Sequence, residues 1–352
     1  MTKHIDEQGN GETQMHKILA ASSTKPDYSH MSTFPTPQRI QAGDTTLAIY
    51  EADGDPAQKK PPIILIHGWP EIAYSWKNQL GPLADAGFRV IAMDLKGFGY
   101  SDAPNDPALY DAKTMTADFC GLLDTLGIEK AIFCGHDWGG SLIWSMAQLH
   151  PERVVGAIGL CTPLRRRAPV EPISILRKRF GDGHYFVHFQ QPEIAENLFA
   201  TDPERFVKLM FRRPVPREKW SSLVPEIFDV PGRFKNAPEP SDEGLIISQG
   251  DAQVYIDAYR NSGFHGGVNL YRNVDQNWKY MAGRDEVVHV PSLWIGADLD
   301  LFLPPEAAVD MDELVPDLEK HIIPDCGHWM NWEKPNEINK IMINWLNRRF
   351  ST

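Results

Sequence analysis

Short, largely apolar runs bounded by turn residues recur along this chain, and most are followed by a segment with helical spacing. Residues 62–66 read PIILI, 88–93 FRVIAM and 154–160 VVGAIGL. A run that is apolar at every position suits a strand covered on both faces of a sheet. Helical spacing follows at 74–86, 111–126 and 141–149, with Gly87 and Gly127 closing the first two. Further strands are expected at 45–50, 131–134, 292–295 and 319–323, and further helices at 305–314 and 337–346. Strands alternating with helices imply a doubly wound, mostly parallel sheet, because parallel neighbours need a crossover between them. The rhythm breaks over 163–285, which is mostly helical and rich in Arg, Pro and aromatic residues. Such an interruption reads as a helical cap inserted over the C-terminal ends of the strands, where open sheets of this kind bind ligands. The expected organisation is a core built from 34–162 and 286–352, a cap over 163–285, and a flexible tail over 1–33.

Composition narrows the partners. Of the 352 residues, Lys and Arg contribute 35 and Asp and Glu 47, a net charge of −12. An acidic chain has no general attraction to nucleic acid or to an anionic membrane. Its basic run Arg165-Arg166-Arg167 reads as a solvated loop. No apolar run reaches the ~18 residues of a membrane-spanning helix. The apolar patch at 18–21 falls short of the roughly 7–15 residues of a signal-peptide core. Cys120, Cys134, Cys161 and Cys326 form no C-x-x-C pair and no zinc spacing; three of them lie in apolar stretches and read as small core hydrophobes, which fits a reduced, cytoplasmic protein. No cofactor or metal is expected. Gly97-x-Gly99 lacks the third glycine of a dinucleotide fingerprint, and His184 and His188 have neither an adjacent Glu in the metalloprotease arrangement nor a third ligand. The oligomeric state is left open.

Chemistry concentrates at Gly135-His136-Asp137-Trp138-Gly139-Gly140, which runs from an expected strand into an expected helix. This is the G-x-nucleophile-x-G form of a nucleophile elbow, with Asp137 where a lipase has Ser. Glycines let strand and helix approach closely, and the middle side chain is held above the sheet at a helix N-terminus that favours a carboxylate. Taken alone, Asp137 equally well caps the helix. Its partners decide otherwise. Asp300 follows the apolar strand SLWI, and His328 lies just past the last strand, in the chain order nucleophile, acid, His. Asp300 can orient the imidazole and His328 can act as base. Asp298 and Asp325 are rivals for the acid and otherwise read as turn or capping residues.

An Asp nucleophile restricts the substrate. A carboxylate attacking saturated carbon leaves an alkyl ester, whose carbonyl water can then attack, whereas Ser would leave an inert ether. With an unperturbed pKa of about 3.9, Asp needs no base for its own ionisation, which leaves His328 free for the water. The leaving group comes off sp3 carbon, so an epoxide oxygen or a halide is favoured over an ordinary ester.

At these motifs the chain resembles the soluble-type epoxide hydrolases of the α/β-hydrolase fold. His67-Gly68-Trp69-Pro70 is similar to their oxyanion-loop motif and Gly135 to Gly140 to their nucleophile motif. The loop from Asp94 to Asp102 is also similar, with Lys96 where Arg is commoner. The resemblance implies an eight-stranded sheet and a small-molecule epoxide substrate. His184 to Pro192 matches the family's first cap-tyrosine motif, which implies that Tyr185 is a ring-opening acid. Ser262 to Asn273 matches the second, which implies the same of Tyr271, although His265-Gly266-Gly267 stands where Arg-Gly-Pro is common. Thr162-Pro163-Leu164 departs from a commoner Thr-Pro-Phe in a way that bears on the pocket wall. Two phenols over one oxygen make a clamp for developing alkoxide charge, since a phenol of pKa about 10 stays protonated at neutral pH. Read without the family, either Tyr also serves as a cap-packing aromatic. Backbone N–H groups of Trp69 and Trp138 are the expected oxyanion donors. Two competing readings are carried forward: a dehalogenase on the same fold, which needs halide-binding N–H groups and lacks the tyrosine pair, and a non-catalytic ligand-binding protein.

Overall fold

A computed structural model describes residues 34–351. The expected tail over 1–33 lies outside them. Eight strands form one sheet: β1 (Gln38–Ala42), β2 (Thr45–Ala52), β3 (Ile63–Ile66), β4 (Val90–Met93), β5 (Ala131–His136), β6 (Val154–Leu160), β7 (Ser292–Ala297) and β8 (Leu318–Ile323), in the order β1-β2-β4-β3-β5-β6-β7-β8. The pairs β1/β2 and β2/β4 are antiparallel and the other five are parallel. β3, β4, β5 and β7 are buried at every position, the burial that their unbroken apolar runs required. β1 was not foreseen. Its QRIQA is polar and mostly exposed, an edge strand held by one neighbour, so it carries no apolar signal.

In the core, α1 (Lys77–Asp85), α2 (Ala112–Thr125) and α3 (Trp138–Leu149) follow β3, β4 and β5. Asp111 caps α2, accepting the Thr114 N–H at 2.7 Å. Between β6 and β7 come nine helices, among the described residues: α4 (Pro172–Phe180), α5 (Tyr185–His188), α6 (Ile194–Ala200), α7 (Pro203–Met210), α8 (Trp220–Phe228), α9 (Val230–Asn236), α10 (Gln249–Ser262), α11 (His265–Arg272) and α12 (Val274–Tyr280). Their own aromatic core joins Phe199, Phe206, Tyr259 and Phe264, with ring centroids 4.4–4.9 Å apart along the chain of contacts. The chain returns through α13 (Met311–Leu314), α14 (Met330–Glu333) and α15 (Pro335–Phe350).

One expected helix is corrected. Residues 305–314 form a 3₁₀ turn, Pro305–Ala308, and the four-residue α13. The buried positions Ala308, Met311 and Leu314 are spaced by three, a period that fits 3₁₀ geometry better than 3.6. The Arg165 to Arg167 run does lie on a loop, but it is not simply solvated: Arg166 pairs with Glu313, and Arg167 lies 3.8 Å over the Trp278 ring.

Strand order reverses direction between β3 and β5, so a crevice opens at their C-terminal ends. The segments after β3, β5, β7 and β8 carry Trp69, Asp137, Asp300 and His328 respectively. The fold therefore gathers four residues spread over 260 positions at one end of the sheet.

Candidate active site

Asp137 occupies the turn between β5 and α3 with φ 50° and ψ −117°, a conformation costly for a residue with a Cβ, on the order of 1–3 kcal/mol. The neighbours hold it there. A Cβ on Gly135 would lie 2.2 Å from the Gly139 carbonyl oxygen, and one on Gly139 would lie 2.0 Å from the Ile66 carbonyl oxygen. Only glycine lets the helix start this close to β3 and β5. The Thr162 hydroxyl donates to the Asp137 carbonyl at 2.6 Å and ties the elbow to the end of β6.

The Asp137 carboxylate faces donors and an imidazole. Oδ1 accepts the Trp69 N–H at 2.9 Å, and Oδ2 lies 3.7 Å from His328 Nε2. On its other side, His328 Nδ1 bonds Asp300 Oδ2 at 2.8 Å. Asp300 is fully buried, and its Oδ1 accepts the backbone N–H groups of Phe302 and Leu303 at 2.9 and 3.0 Å. The rivals are accounted for otherwise: Asp298 Oδ1 caps the Cys326 N–H at 3.2 Å, and Asp325 is a left-handed turn residue at φ 52°.

Electrostatics amend one expectation. Burial pushes the Asp137 carboxyl above its ordinary value, so its ionisation is not unaided; His328, His136 and the N–H groups of Trp69 and Trp138 oppose that shift. For Asp300, burial works upward too, but His328 beside it brings the net shift below the usual carboxylate range. Burial would lower His328, yet Asp300 and then Asp137 overcome it and raise the imidazole to about 9. His328 thus sits between two carboxyl groups whose charges favour its protonated form.

Tyr185, the first residue of α5, and Tyr271, in α11, hang over the same carboxylate. Both are almost completely buried, and their rings meet edge to face at 5.3 Å. Burial, and for both the nearby Asp137 charge, raise each phenol well above its usual pKa, so both remain donors at any physiological pH. Trp69 stacks on Tyr185, and Trp138 meets Tyr271 edge to face at 5.0 Å. Gly266, which the family motif shares, and Gly267, which replaces its proline, both have a packing role. A Cβ on Gly266 would lie 2.3 Å from the Gly97 carbonyl oxygen, and one on Gly267 would lie 2.4 Å from Trp69 Nε1. This indole nitrogen has no hydrogen-bond partner and faces the backbone of α11.

A cavity lies among these groups, bounded by Asp137, His328, Trp69, Tyr185 and Tyr271 and completed by Met210, Val230, Phe302 and Trp329. All seven expected site residues are brought together, Trp138 through its backbone N–H beneath Asp137. Leu164 is buried but does not line this cavity.

Sequence reasoning missed Glu71. It is fully buried; Oε2 accepts the Gly68 N–H at 2.9 Å and lies 2.7 Å from His136 Nδ1. His136 Nε2 in turn lies 2.8 Å from the His328 carbonyl oxygen. Burial opposes the Glu71 charge, but His136 holds its pKa down at about 2. The network thus braces the Gly68–Trp69 turn and the His328 loop from behind. An acid directly after His67-Gly68-Trp69-Pro70, in an otherwise apolar stretch, was the available signal. His136, Cys161 and His328 also cluster, but their polar atoms are committed: Cys161 Sγ lies 3.4 Å from the His328 carbonyl, and the imidazoles hold the partners already named. Met210 and Val230, from helices of the insertion, had no sequence signal.

Comparison with known proteins agrees with this geometry. Residues 61–335 match the family model described as alpha/beta hydrolase fold. Epoxide hydrolase A of Mycobacterium tuberculosis is 35% identical over 316 residues, which cover 89% of this chain and 97% of that protein. Bifunctional epoxide hydrolase 2 of Sus scrofa is 36% identical over 288 residues, 81% of this chain and 51% of that protein. The chain thus spans about half the length of the mammalian curated relatives it matches. Among solved structures, Epoxide Hydrolase A from Mycobacterium thermoresistibile superposes with a TM-score of 0.79 at 32% identity, covering 89% of this chain and 98% of that one. The chain belongs to the α/β-hydrolase fold family and, within it, to the epoxide hydrolases.

Proposed function

We propose that this protein hydrolyses an epoxide to a vicinal diol through a covalent ester on Asp137. The observation that carries the reading is a carboxylate at the elbow, beneath two buried phenols and beside an Asp-paired imidazole. The Asp137 carboxylate attacks an epoxide carbon, the C–O bond breaks, and one of Tyr185 and Tyr271 gives its proton to the alkoxide while the other donates a hydrogen bond. His328 then takes a proton from water, which attacks the ester carbonyl carbon. The N–H groups of Trp69 and Trp138 hold the oxyanion; collapse breaks the ester C–O bond, His328 returns its proton to the departing alkoxide, and the proton left on the Asp137 carboxyl restores the tyrosine, which frees the diol and regenerates the enzyme. The helical insertion serves as the cap that supplies the two phenols. Halide release is less well supported, since the unpartnered Trp69 Nε1 faces the α11 backbone. Among the described residues no helix is long and apolar enough to cross a membrane. Four free thiols support a reducing compartment, for which the cytoplasm is our reading.

A single turnover in 18O-water with enzyme in excess tests the covalent route. The diol is expected to carry unlabelled oxygen, with label appearing in Asp137, because the carboxylate oxygen is transferred first and water refills the carboxylate. Labelled diol in that turnover would make Asp137 a general base and sink the ester.

The charges also predict a pH dependence. His328 is held at about 9 by two carboxylates, and a base must be neutral. Alkylation turns Asp137 into a neutral ester and removes one of the charges that raise the imidazole. Below about 9, then, the free enzyme holds an imidazolium, while the ester intermediate loses that proton at lower pH. Ester hydrolysis, followed by stopped flow, is expected to rise with pH through a midpoint below that of His328 in the free enzyme, followed by NMR. Coincident midpoints would remove Asp137 from the control of the base.

A further inference from the structure

A second cavity adjoins the first and shares Met210, Phe302, His328 and Trp329 with it. Its character differs. Arg212, Arg213 and Arg233 all border it, with apolar Leu299 and Ile227 among the remaining wall residues. Three arginines bordering one cavity that also touches His328 are unexpected in a chain of net charge −12. None of them is in an ion pair among the described residues, whereas nearby Arg205 and Arg217 pair with Glu239 and Glu306.

The three are not equivalent. Arg212 is braced, its guanidinium donating to the carbonyls of Ser241 and Glu243. Arg213 is exposed and its side chain has no hydrogen-bond partner among the described residues. Arg233, on α9, donates through Nη2 to the Leu209 carbonyl at 3.2 Å and touches Met210 Sδ at 3.3 Å, but its Nε is buried and unpartnered. Burial pushes the Arg233 guanidinium down from its usual pKa; Glu226 opposes this from beyond ion-pair distance and Arg212 adds to it. A buried guanidinium without a carboxylate is destabilising, and its planar fork matches an oxyanion with two parallel bonds.

We propose that this cavity is an anion subsite, and that the substrate is an epoxide bearing a compact oxyanion, a carboxylate or a phosphate-type group, a few bonds from the ring. The proposal rests on the epoxide-hydrolase reading. Arg233 and Arg213 bind the acid while the ring sits between Asp137 and the two tyrosines. The shared wall of Phe302 and His328 sets the short tether, because the acid needs only to pass those two side chains. Each arginine acts on binding and orientation and touches no reacting atom.

The test is kcat/KM for a series of epoxides of graded tether length, each ending in a carboxylate, a phosphonate or the neutral carboxamide. At the best tether an acid is expected to exceed its amide by roughly 10- to 100-fold, the size of one or two charge-assisted hydrogen bonds. The carboxylate and phosphonate arms tell which oxyanion fits. The acid-to-amide ratio is expected to fall towards one in Arg233→Gln and to drop in Arg213→Gln, chiefly through KM. Because the ratio is taken within one preparation, partial misfolding cancels, and the exposed Arg213 supplies a second variant should Arg233→Gln fail to fold. A ratio near one in the wild type, or one unchanged in both variants, overturns the subsite. Amides hydrolysed without any preference for acids would overturn the subsite alone; no turnover of any epoxide would overturn the catalytic reading with it.

Discussion

His328→Gln is expected to stop the enzyme after its first half-reaction, with one substrate equivalent bound as an ester on Asp137. Attack requires only an ionised Asp137 and proton donors above it, whereas ester hydrolysis requires a base for water. Gln preserves much of the side-chain volume and can still donate to Asp300, so the buried acid keeps a partner. Loss of the imidazolium removes the leading force that holds the Asp137 pKa down against burial. The carboxyl therefore titrates higher in the variant, and the trap works best at about pH 8, above the usual carboxylate range. Steady-state turnover should fall by about 10²–10⁴, the contribution typical of a general base. Mass spectrometry of the peptide containing Asp137 should show an increment equal to the whole epoxide. An unmodified peptide under excess epoxide would mean that Asp137 is not the nucleophile.

Tyr185→Phe combined with Tyr271→Phe should nearly abolish ring opening. Both phenols are buried and held far above their ordinary pKa by burial and the carboxylate beneath them, so their protons remain available to a developing alkoxide. In the double variant the alkoxide has no phenol donor. By analogy with an oxyanion-hole donor, each single change is expected to slow alkylation by about 10²–10³, near 3–4 kcal/mol at the barrier. Folding should survive, because both rings stay in place among Trp69, Phe186 and Phe189. Rapid-mixing measurement of the alkylation step separates this from hydrolysis. A single variant that alkylates at the wild-type rate returns that tyrosine to packing.

The pattern of local signals explains how much could be read beforehand. Seven strands were legible: those buried on both faces must be apolar throughout, as β3 and β4 are, while the edge strand β8 was placed by the alternation of strand and helix before it. β1 escaped because an edge strand needs no such pattern. The elbow, its glycines and the chain order of Asp137, Asp300 and His328 were equally legible, since a tight strand-to-helix turn demands particular residues at fixed spacing.

What stayed hidden depends on distance in space rather than in sequence. Choosing Asp300 over Asp298 and Asp325 took the 2.8 Å contact with His328, which no spacing encodes. Glu71 and His136 became a support for the base only once β3, β5 and the His328 loop lay side by side. The raised pKa of His328 is likewise a property of two carboxylates meeting around one buried ring. The sequence by itself determined the sheet, the elbow and the chemical types at the site, because these follow from local periodicity and turn geometry. Only the tertiary structure decided which carboxylate pairs with His328, in which direction that imidazole's pKa moves and which arginines border one cavity, because Coulomb energy and desolvation depend on separations that folding alone creates.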